Sequence, residues 1–296
     1  MLAAPVNPSD LLTVRGQYAR LPQLPGTPGF EGVGIVDAAG PGLLGRFLIG
    51  KRVAALNSRT GSWAESAIVA AKQAIPLSKH LSLEQAAMFF VNPATAYVLT
   101  RKVLALPSGE WLLQTAAGSA LGRMIIRLGK RFGFKTINVI RRPEQVAELQ
   151  ALGGDVVIAD AGSRMREQVR SATGGRGVGY AVDAVGGATG AAAAGCLAPG
   201  GRLVLYGTLS GEPLPLSPRD LIATSATIEG FWLGDWMAKQ NLLGKLILVR
   251  TITGLMRDGV LVSDIGQCFP LASIAEAVQT AEKVGRGGKV LLKIGE

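Results

Sequence analysis

The sequence predicts an α/β fold in which a doubly wound parallel sheet accompanies a second, β-rich domain. The first observation is that apolar, strand-like runs alternate with helix-patterned segments after about residue 107, an order typical of parallel sheets. The second is that residues 1–96 contain short β-type runs interrupted by glycine and proline. The third is composition: 296 residues, 48% of them apolar and 40 of them glycine, are enough for two domains with their own cores.

The β-rich domain is predicted from short runs at 32–36, 51–55 and 66–69. A helical pattern then begins at Ser82, whose hydroxyl can cap the helix. Near its end the chain returns to short runs, and the last of them is the apolar segment 289–294. We therefore expect one domain from residues 1–96 and 262–296, and a second from residues 97–261.

The second domain is predicted from apolar runs that are typical of buried strands. They lie at 111–114, 136–140, 156–158, 180–185 and 202–206. Helix-patterned segments separate them, for example at 143–152 and 164–173, and the alanines 191–194 indicate a close-packed helix. Strands that alternate with helices in this way are expected to run parallel.

The first of these strands leads into a loop of small residues, 116–122, and then into a helix pattern and a second strand. Strand, tight loop, helix and strand together place a pyrophosphate at the helix N-terminus. The loop alone is a weak signal, because only two of its positions are glycine. From the whole unit we predict the dinucleotide-binding residues Gly118, Ser119, Ala120, Leu121 and Gly122.

The end of the second strand predicts which dinucleotide binds. Enzymes selective for NAD place an acid about 20 residues after the glycine loop, where it binds the ribose hydroxyls. Here that place is taken by Arg141 and Arg142. A guanidinium can pair with a 2′-phosphate. We therefore predict NADP(H) as the cofactor, with Arg141 and Arg142 as ligands of its 2′-phosphate.

The net charge of +10 favours anionic partners, such as nucleic acid, a phosphorylated cofactor or a phosphate-bearing substrate. The sequence has no zinc-finger spacing, aromatic RNA-binding pattern or basic tail, so we expect no nucleic-acid partner. The basic residues Arg123, Arg127, Lys130 and Arg131 fall on one helical face by their spacing. We interpret that face as solvated.

Other classes are disfavoured by what the sequence lacks. It has no charge-free apolar run of about 20 residues and no signal-peptide pattern at its start, so we expect a cytoplasmic protein that does not bind membranes. Its two cysteines, Cys196 and Cys268, cannot form a disulfide framework or a four-thiolate zinc site. The one histidine, His80, lies in a charged turn, and we expect no metal.

These residues resemble the medium-chain dehydrogenase/reductase superfamily over essentially the whole chain. Segments 7–18 and 28–34 resemble the substrate domain of its zinc-free branch. Zinc-dependent relatives have a histidine where Phe30 stands and a cysteine ligand near Asn7, so the resemblance implies a metal-free site. It also implies a Rossmann cofactor domain, a GroES-like substrate domain, and a homodimer that joins the cofactor-domain sheets edge to edge.

Two groups of this branch compete, the NADPH:quinone oxidoreductases and the mitochondrial-type trans-2-enoyl-thioester reductases. Three segments favour the second group: 92–97 is similar to its segment beside the nicotinamide, 136–141 to its 2′-phosphate strand, and 230–236 to its tryptophan segment near the acyl pocket. The resemblance therefore implies zinc-independent, NADPH-dependent reduction of activated C=C bonds in small molecules, most of all enoyl thioesters linked to CoA or acyl carrier protein. Quinone reduction is the alternative.

Reduction of an enoyl thioester delivers hydride to Cβ and a proton to Cα while negative charge collects on the thioester oxygen. The resemblance places Tyr18 at the family's catalytic tyrosine, and Asn7 and Asp10 are expected to fix its loop or to have a purely structural role. Asp183 is interpreted as a turn anchor. Further expected cofactor contacts are Asn92, Thr95, Tyr206, Gly207, Thr208, Phe231 and Trp232. The expected substrate pocket is lined by Asn7, Trp63, Phe89 and Trp236, with Trp232 as a further wall of the acyl channel.

The family usually has a further segment before the position that matches Met1, and that segment supplies the first strands of the β-rich domain. We therefore expect either that the start codon was assigned late or that these N-terminal strands are missing. In a chain without these strands, the cofactor domain could still fold and bind NADPH while the catalytic domain is incomplete. A non-catalytic NADPH-binding protein is thus the alternative from a different class.

Overall fold

The structure is a computed structural model and describes residues 1–56, 60–159, 162, 164–285 and 287–295. The chain separates into two compact units. The first, here called the terminal unit, is Met1–Pro93 with Val262–Glu296. The second, the central unit, is Ala94–Leu261. Each unit has its own sheet.

The regular elements are numbered in chain order. The strands are β1 (Ala3–Pro5), β2 (Glu31–Ile35), β3 (Arg52–Leu56), β4 (Ala74–Pro76), β5 (Trp111–Gln114), β6 (Lys135–Val139), β7 (Val156–Ile158), β8 (Val178–Asp183), β9 (Leu197–Leu205), β10 (Thr227–Gly230), β11 (Ile265–Pro270) and β12 (Lys289–Lys293). The helices are α1 (Pro8–Val14), α2 (Leu43–Leu48), α3 (Leu83–Ala87), α4 (Val91–Val98), α5 (Ala120–Phe132), α6 (Val146–Leu152), α7 (Met165–Ala172), α8 (Gly187–Ala194), α9 (Pro218–Thr224), α10 (Leu233–Ala238), α11 (Leu242–Arg257) and α12 (Ile274–Glu282).

The central unit contains a parallel sheet in the order β10-β9-β8-β5-β6-β7. The chain starts at β5, adds β6 and β7 on one side, and then returns to add β8, β9 and β10 on the other. The strand order therefore reverses between β5 and β8. This confirms the predicted doubly wound parallel fold. The strands are apolar because helices cover both faces, and Leu113, Ile137 and Leu203 are fully buried.

Two strands of this sheet differ from the sequence expectation. Strand β9 begins at Leu197, well before the predicted run 202–206. Few of residues 198–201 are buried, so they lack the apolar pattern from which the strand was predicted. Strand β10 was not predicted. It is an edge strand of four residues with no fully buried side chain, so the apolar pattern that indicates a central strand is absent from it.

The terminal unit contains a sheet in the order β11-β12-β1-β2-β3-β4. Strand β1 pairs antiparallel with both β12 and β2, so the first strand of the chain lies beside the last. This agrees with the predicted return of 289–294 to the first domain. One core cluster of the terminal unit combines Ala4, Val6, Leu11 and Trp63 with Ala277 of α12.

One predicted strand of the terminal unit is wrong. Residues 66–69 form no strand, and the Ile68 side chain is 84% exposed. The backbone of Ile68 is bound instead by the hydroxyl of Thr60, which donates to the Ile68 carbonyl at 2.7 Å and accepts from the Ile68 N–H at 3.1 Å. A side chain thus satisfies both backbone groups that a neighbouring strand would otherwise bind.

Candidate functional site

The carboxyl edge of the parallel sheet in the central unit collects most of the predicted cofactor residues. The 116–122 loop follows β5, Arg141 follows β6, Tyr206 follows β9 and Phe231 follows β10. Because parallel strands end at the same edge, these four segments all lie at the carboxyl edge of the sheet. The order reverses between β5 and β8, and ligands of open α/β sheets bind in the crevice at such a point.

The loop after β5 has a tightly constrained backbone. Ala116 adopts the left-handed region with φ 50°, and Ser119 caps α5 by accepting the Gly122 N–H at 3.1 Å. A Cβ at Gly122 would lie 2.5 Å from the Ala117 carbonyl oxygen, so only glycine fits there. Ala120 and Leu121 begin α5, where backbone N–H groups have no partner within the helix. This end of a 13-residue helix suits a pyrophosphate.

The two arginines after β6 keep accessible guanidinium groups. Arg141 is exposed, and the Arg142 side chain is 31% exposed and 4.0 Å from Glu144. No acid occupies either position. The donor set beside the loop therefore fits a 2′-phosphate.

Arg123 was interpreted as solvated, and this is wrong. Its side chain is only 14% exposed and forms two bonds to the Glu148 carboxylate, at 2.6 and 2.8 Å. Its Nε also donates to the Gly118 carbonyl at 3.3 Å. The hydrogen bonds from Arg123 lower the pKa of Glu148. Arg123 thus ties the loop and α5 to α6, a role that its helical position alone could not reveal.

The segment after β9 packs tightly against the end of β8. The Tyr206 N–H donates to the Asp183 carbonyl at 2.9 Å, and a Cβ at Gly207 would lie 2.7 Å from the Ala184 carbonyl oxygen. Asp183 accepts from the N–H groups of Val185 and Gly186, so it is a turn anchor as predicted. The Tyr206 hydroxyl is buried and has no hydrogen-bond partner within the described part of the chain, and burial strongly raises its pKa.

The predicted aromatic segment follows β10 directly. The Phe231 N–H donates to the Leu205 carbonyl at 2.8 Å, so this segment continues beside the end of β9. Trp232 is the N-cap residue of α10, and the Trp236 N–H donates to its carbonyl at 3.1 Å. Both tryptophans are half-buried. The structure therefore places them at the same sheet edge as residues 206–208.

Tyr18 lies in the terminal unit, in the loop that follows α1. Its N–H donates to the Leu12 carbonyl at 3.1 Å, and its ring centroid is 5.2 Å from that of Phe30. Burial raises the pKa of the Tyr18 phenol, and the charge of Asp10 raises it further. The phenol therefore remains a proton donor at neutral pH.

We define a buried polar network as Asn7, Asp10, Glu31 and Lys289. Its relation to Tyr18 is that the charge of Asp10 acts on the Tyr18 phenol. The network residues are, in that order, 2%, 0%, 2% and 5% exposed. Burial raises the pKa of Asp10 to about 7 and also raises that of Glu31, against backbone hydrogen bonds that lower both. Sequence reasoning found Asn7 and Asp10 but missed Glu31 and Lys289. Each is the first residue of its strand, where a charged side chain is ordinary, so the sequence carried no signal that these two are buried.

The other predicted substrate residues of the terminal unit are deeply buried. Trp63 packs in the core cluster that includes Ala4 and Leu11, and its indole N–H donates to the Pro5 carbonyl at 3.1 Å. Phe89 is 1% exposed. These positions argue for packing roles. Asn92 is half-buried in the first turn of α4, while Thr95 of the same helix belongs to the central unit and is 8% exposed.

Metal-binding clusters and membrane spans are both absent from the residues that the structure describes. No three His, Cys, Asp or Glu side chains among them lie close enough together to hold a metal ion. Nor does this part of the chain contain a helix that is long and apolar enough to cross a membrane.

Comparisons with known proteins agree with this architecture. Residues 1–79 match the alcohol dehydrogenase GroES-like domain family, and residues 120–247 match the zinc-binding dehydrogenase family. The chain is 33% identical to the mitochondrial enoyl-acyl-carrier-protein reductase of Rattus norvegicus, over 96% of this chain and 77% of that protein.

Two solved structures are similar over nearly the whole chain. The quinone oxidoreductase of Thermus thermophilus, also solved in complex with NADPH, is 29% identical with a TM-score of 0.79, over 99% of this chain and 89% of that one. An Etr1p mutant in complex with NADP and crotonyl-CoA is 25% identical with a TM-score of 0.82, over 99% and 88%. The chain therefore belongs to the zinc-free branch of the medium-chain dehydrogenase/reductase superfamily.

Proposed function

We propose that this protein is an NADPH-dependent oxidoreductase that reduces activated C=C bonds, and that its substrates are trans-2-enoyl thioesters. The observation that carries the proposal is the position of Trp232 and Trp236. They follow the end of β10, at the carboxyl edge of the sheet, where the proposed cofactor residues also lie. An apolar acyl chain could lie against them there. The similarity to a mitochondrial enoyl-acyl-carrier-protein reductase supports the same substrate class.

The proposed roles divide between cofactor and chain. NADPH, when bound, supplies the hydride. The α5 N-terminus would hold its pyrophosphate, and Arg141 and Arg142 would bind the 2′-phosphate. Tyr18 would donate a proton, because burial keeps its phenol protonated. Asn92 and Thr95 are proposed to contact the nicotinamide side of the cofactor.

Quinone reduction is the second candidate, and the similarity to the Thermus thermophilus quinone oxidoreductase favours it. Trp232→Ala separates the two candidates. An acyl channel predicts that the preference for long over short acyl substrates changes in this variant. An unchanged preference would assign Trp232 to packing.

The proposal is tested by measuring NADPH oxidation with a medium-chain trans-2-enoyl-CoA and, in parallel, with a simple quinone. We expect preferential turnover of the thioester, and Tyr18→Phe should lower kcat on the order of a hundredfold because one general acid is removed. Preferential turnover of the quinone would select the second candidate. NADPH binding without any turnover would identify a non-catalytic NADPH-binding protein.

We also propose a homodimer that joins the edges of two central-unit sheets. The support is that β10, which pairs with β9 on one side, is an edge strand of the described sheet, and that exposed apolar residues flank it in sequence. These are Ile222, Leu242, Leu243, Leu246 and Ile247, all more than half exposed. The carrier of the acyl group and the cytoplasmic location also stay predictions, and the mitochondrial relatives favour that organelle as the competing location.

A further inference from the structure

The buried polar network contains more charge than a protein interior usually accepts. One ammonium group and two carboxyl groups lie within it, each on a residue that is at most 5% exposed. Burying such groups costs free energy unless they are paired and hydrogen-bonded. Replacing such a network by packed apolar side chains often leaves stability unchanged or higher, so stability alone does not account for it.

We propose that Lys289 and Glu31 are positioning residues for Tyr18 and act on it through Asn7 and Asp10. This inference rests on the proposed function, in which Tyr18 is the proton donor. Neither residue touches the reacting atoms in this proposal. Lys289 comes from β12, near the end of the chain, while Glu31 begins β2.

The first connection runs through α1. The Lys289 ammonium donates to the side-chain oxygen of Asn7, and the Asn7 side-chain nitrogen donates to Glu31 Oε1 at 3.1 Å. These two bonds fix which way the Asn7 amide points. Asn7 is the N-cap of α1, and its backbone N–H donates to Asp10 Oδ2 at 2.8 Å.

The far end of α1 holds the Tyr18 loop. The Leu12 carbonyl accepts the N–H groups of both Gln17 and Tyr18, at 2.8 and 3.1 Å. The Asn7 cap and the turn that carries Tyr18 are therefore attached to opposite ends of the same seven-residue helix.

The second connection runs through Phe30. Asp10 Oδ1 accepts the Phe30 N–H at 2.9 Å, and the Phe30 ring packs against the Tyr18 ring. Glu31, the next residue, accepts the N–H groups of Phe90 and Val91 at 3.0 and 2.9 Å. The network thus holds both the loop of Tyr18 and the ring against which it packs.

Charge gives a third reason. The charge of Asp10 raises the pKa of the Tyr18 phenol, and the charge of Arg20 lowers it. The Lys289 ammonium partly offsets the charges of Asp10 and Glu31. Loss of that ammonium would leave the Asp10 carboxylate less compensated, and the Tyr18 phenol would then lose its proton at higher pH.

The experiment compares Lys289→Met with Lys293→Met, which makes the same change at the exposed end of the same strand. Titration of Tyr18 is isolated by subtracting the ultraviolet titration of Tyr18→Phe, made in the same background. We expect Lys289→Met to move the Tyr18 midpoint upward by at least about half a pH unit and Lys293→Met to leave it in place. An unmoved midpoint in Lys289→Met would overturn the proposal. This readout requires no turnover, so it stands even if the proposed function fails.

Kinetics supply the second readout. With the enoyl-CoA substrate, Lys289→Met should lower kcat on the order of tenfold or more while KM for NADPH stays unchanged. In a Tyr18→Phe background the same substitution should lower activity little further, because both substitutions act on the same step, proton donation by Tyr18. Equal losses in both backgrounds would contradict the inference. If Lys289→Met does not fold, Glu31→Gln, which keeps the side-chain size, is expected to show the same coupling to Tyr18.

Discussion

At the scale of single residues, cofactor choice depends on the two arginines that come after β6. Arg141 and Arg142 stand where an NAD-selective enzyme has an acid. Glu144 and Glu148 are also nearby, but Arg123 binds Glu148 with two hydrogen bonds. Glu148 is thus paired with Arg123, while Arg141 is exposed and Arg142 stays 31% exposed with Glu144 4.0 Å away.

The double variant Arg141→Ala with Arg142→Ala tests this assignment. We expect the Kd for NADPH to rise roughly 10²- to 10⁴-fold, since two charge-assisted hydrogen bonds are lost and each is worth about 1.5–3 kcal/mol. NADH lacks the 2′-phosphate, so its Kd should change by no more than about twofold. Fluorescence titration with both nucleotides measures the difference. Equal losses for NADPH and NADH would remove the arginines from 2′-phosphate recognition.

At the scale of elements, the loop between β5 and α5 shows why the sequence pattern was incomplete. The standard glycine pattern predicts a backbone free to adopt unusual angles, yet Ala116 has φ 50° and is not glycine. The glycines are instead placed where a neighbour approaches closely. Gly122 faces the Ala117 backbone, and a Cβ at Gly118 would lie 2.5 Å from the Gln145 side chain.

Gly122→Ala is therefore expected to displace the loop. We expect a loss of roughly 1–3 kcal/mol in the free energy of unfolding, as is usual for overpacking, together with weaker NADPH binding. Gly254→Ala is the matched control, because Gly254 lies in α11 with no atom within 4 Å of its added Cβ. That change should stabilise the protein by about 0.5–1 kcal/mol through helix propensity. Chemical denaturation measures both, and stabilisation by Gly122→Ala would show that the loop tolerates a side chain.

At the scale of the whole molecule, each unit has its own sheet, and β10 is one edge strand of the sheet in the central unit. Leu242 and Leu246 lie one turn apart on α11 and are 73% and 57% exposed. Apolar side chains in such positions are typical of an interface with another chain.

Leu242→Glu combined with Leu246→Glu should shift the proposed dimer to monomer, because the charges would be buried without partners. The matched control is Leu43→Glu with Phe47→Glu, an equally spaced exposed pair on α2 of the terminal unit. Sedimentation velocity measures the oligomeric state of both variants. Dissociation by the control pair alone would place the interface on the terminal unit.

The sequence by itself determined the doubly wound sheet, the loop that follows its first strand and the two arginines after its second. These features depend on local periodicity and on residue order, which a linear chain displays directly. It also indicated Tyr18, Asn7 and Asp10, though only through resemblance to a family.

The tertiary structure decided which polar groups meet. Lys289 reaches Asn7 because β12 pairs with β1, which joins residues 282 positions apart. The same holds for the anchoring of Arg123 by Glu148, for the edge position of β10 and for the burial of Trp63. Each of these depends on strand order and packing between distant segments, and no local pattern carries that information.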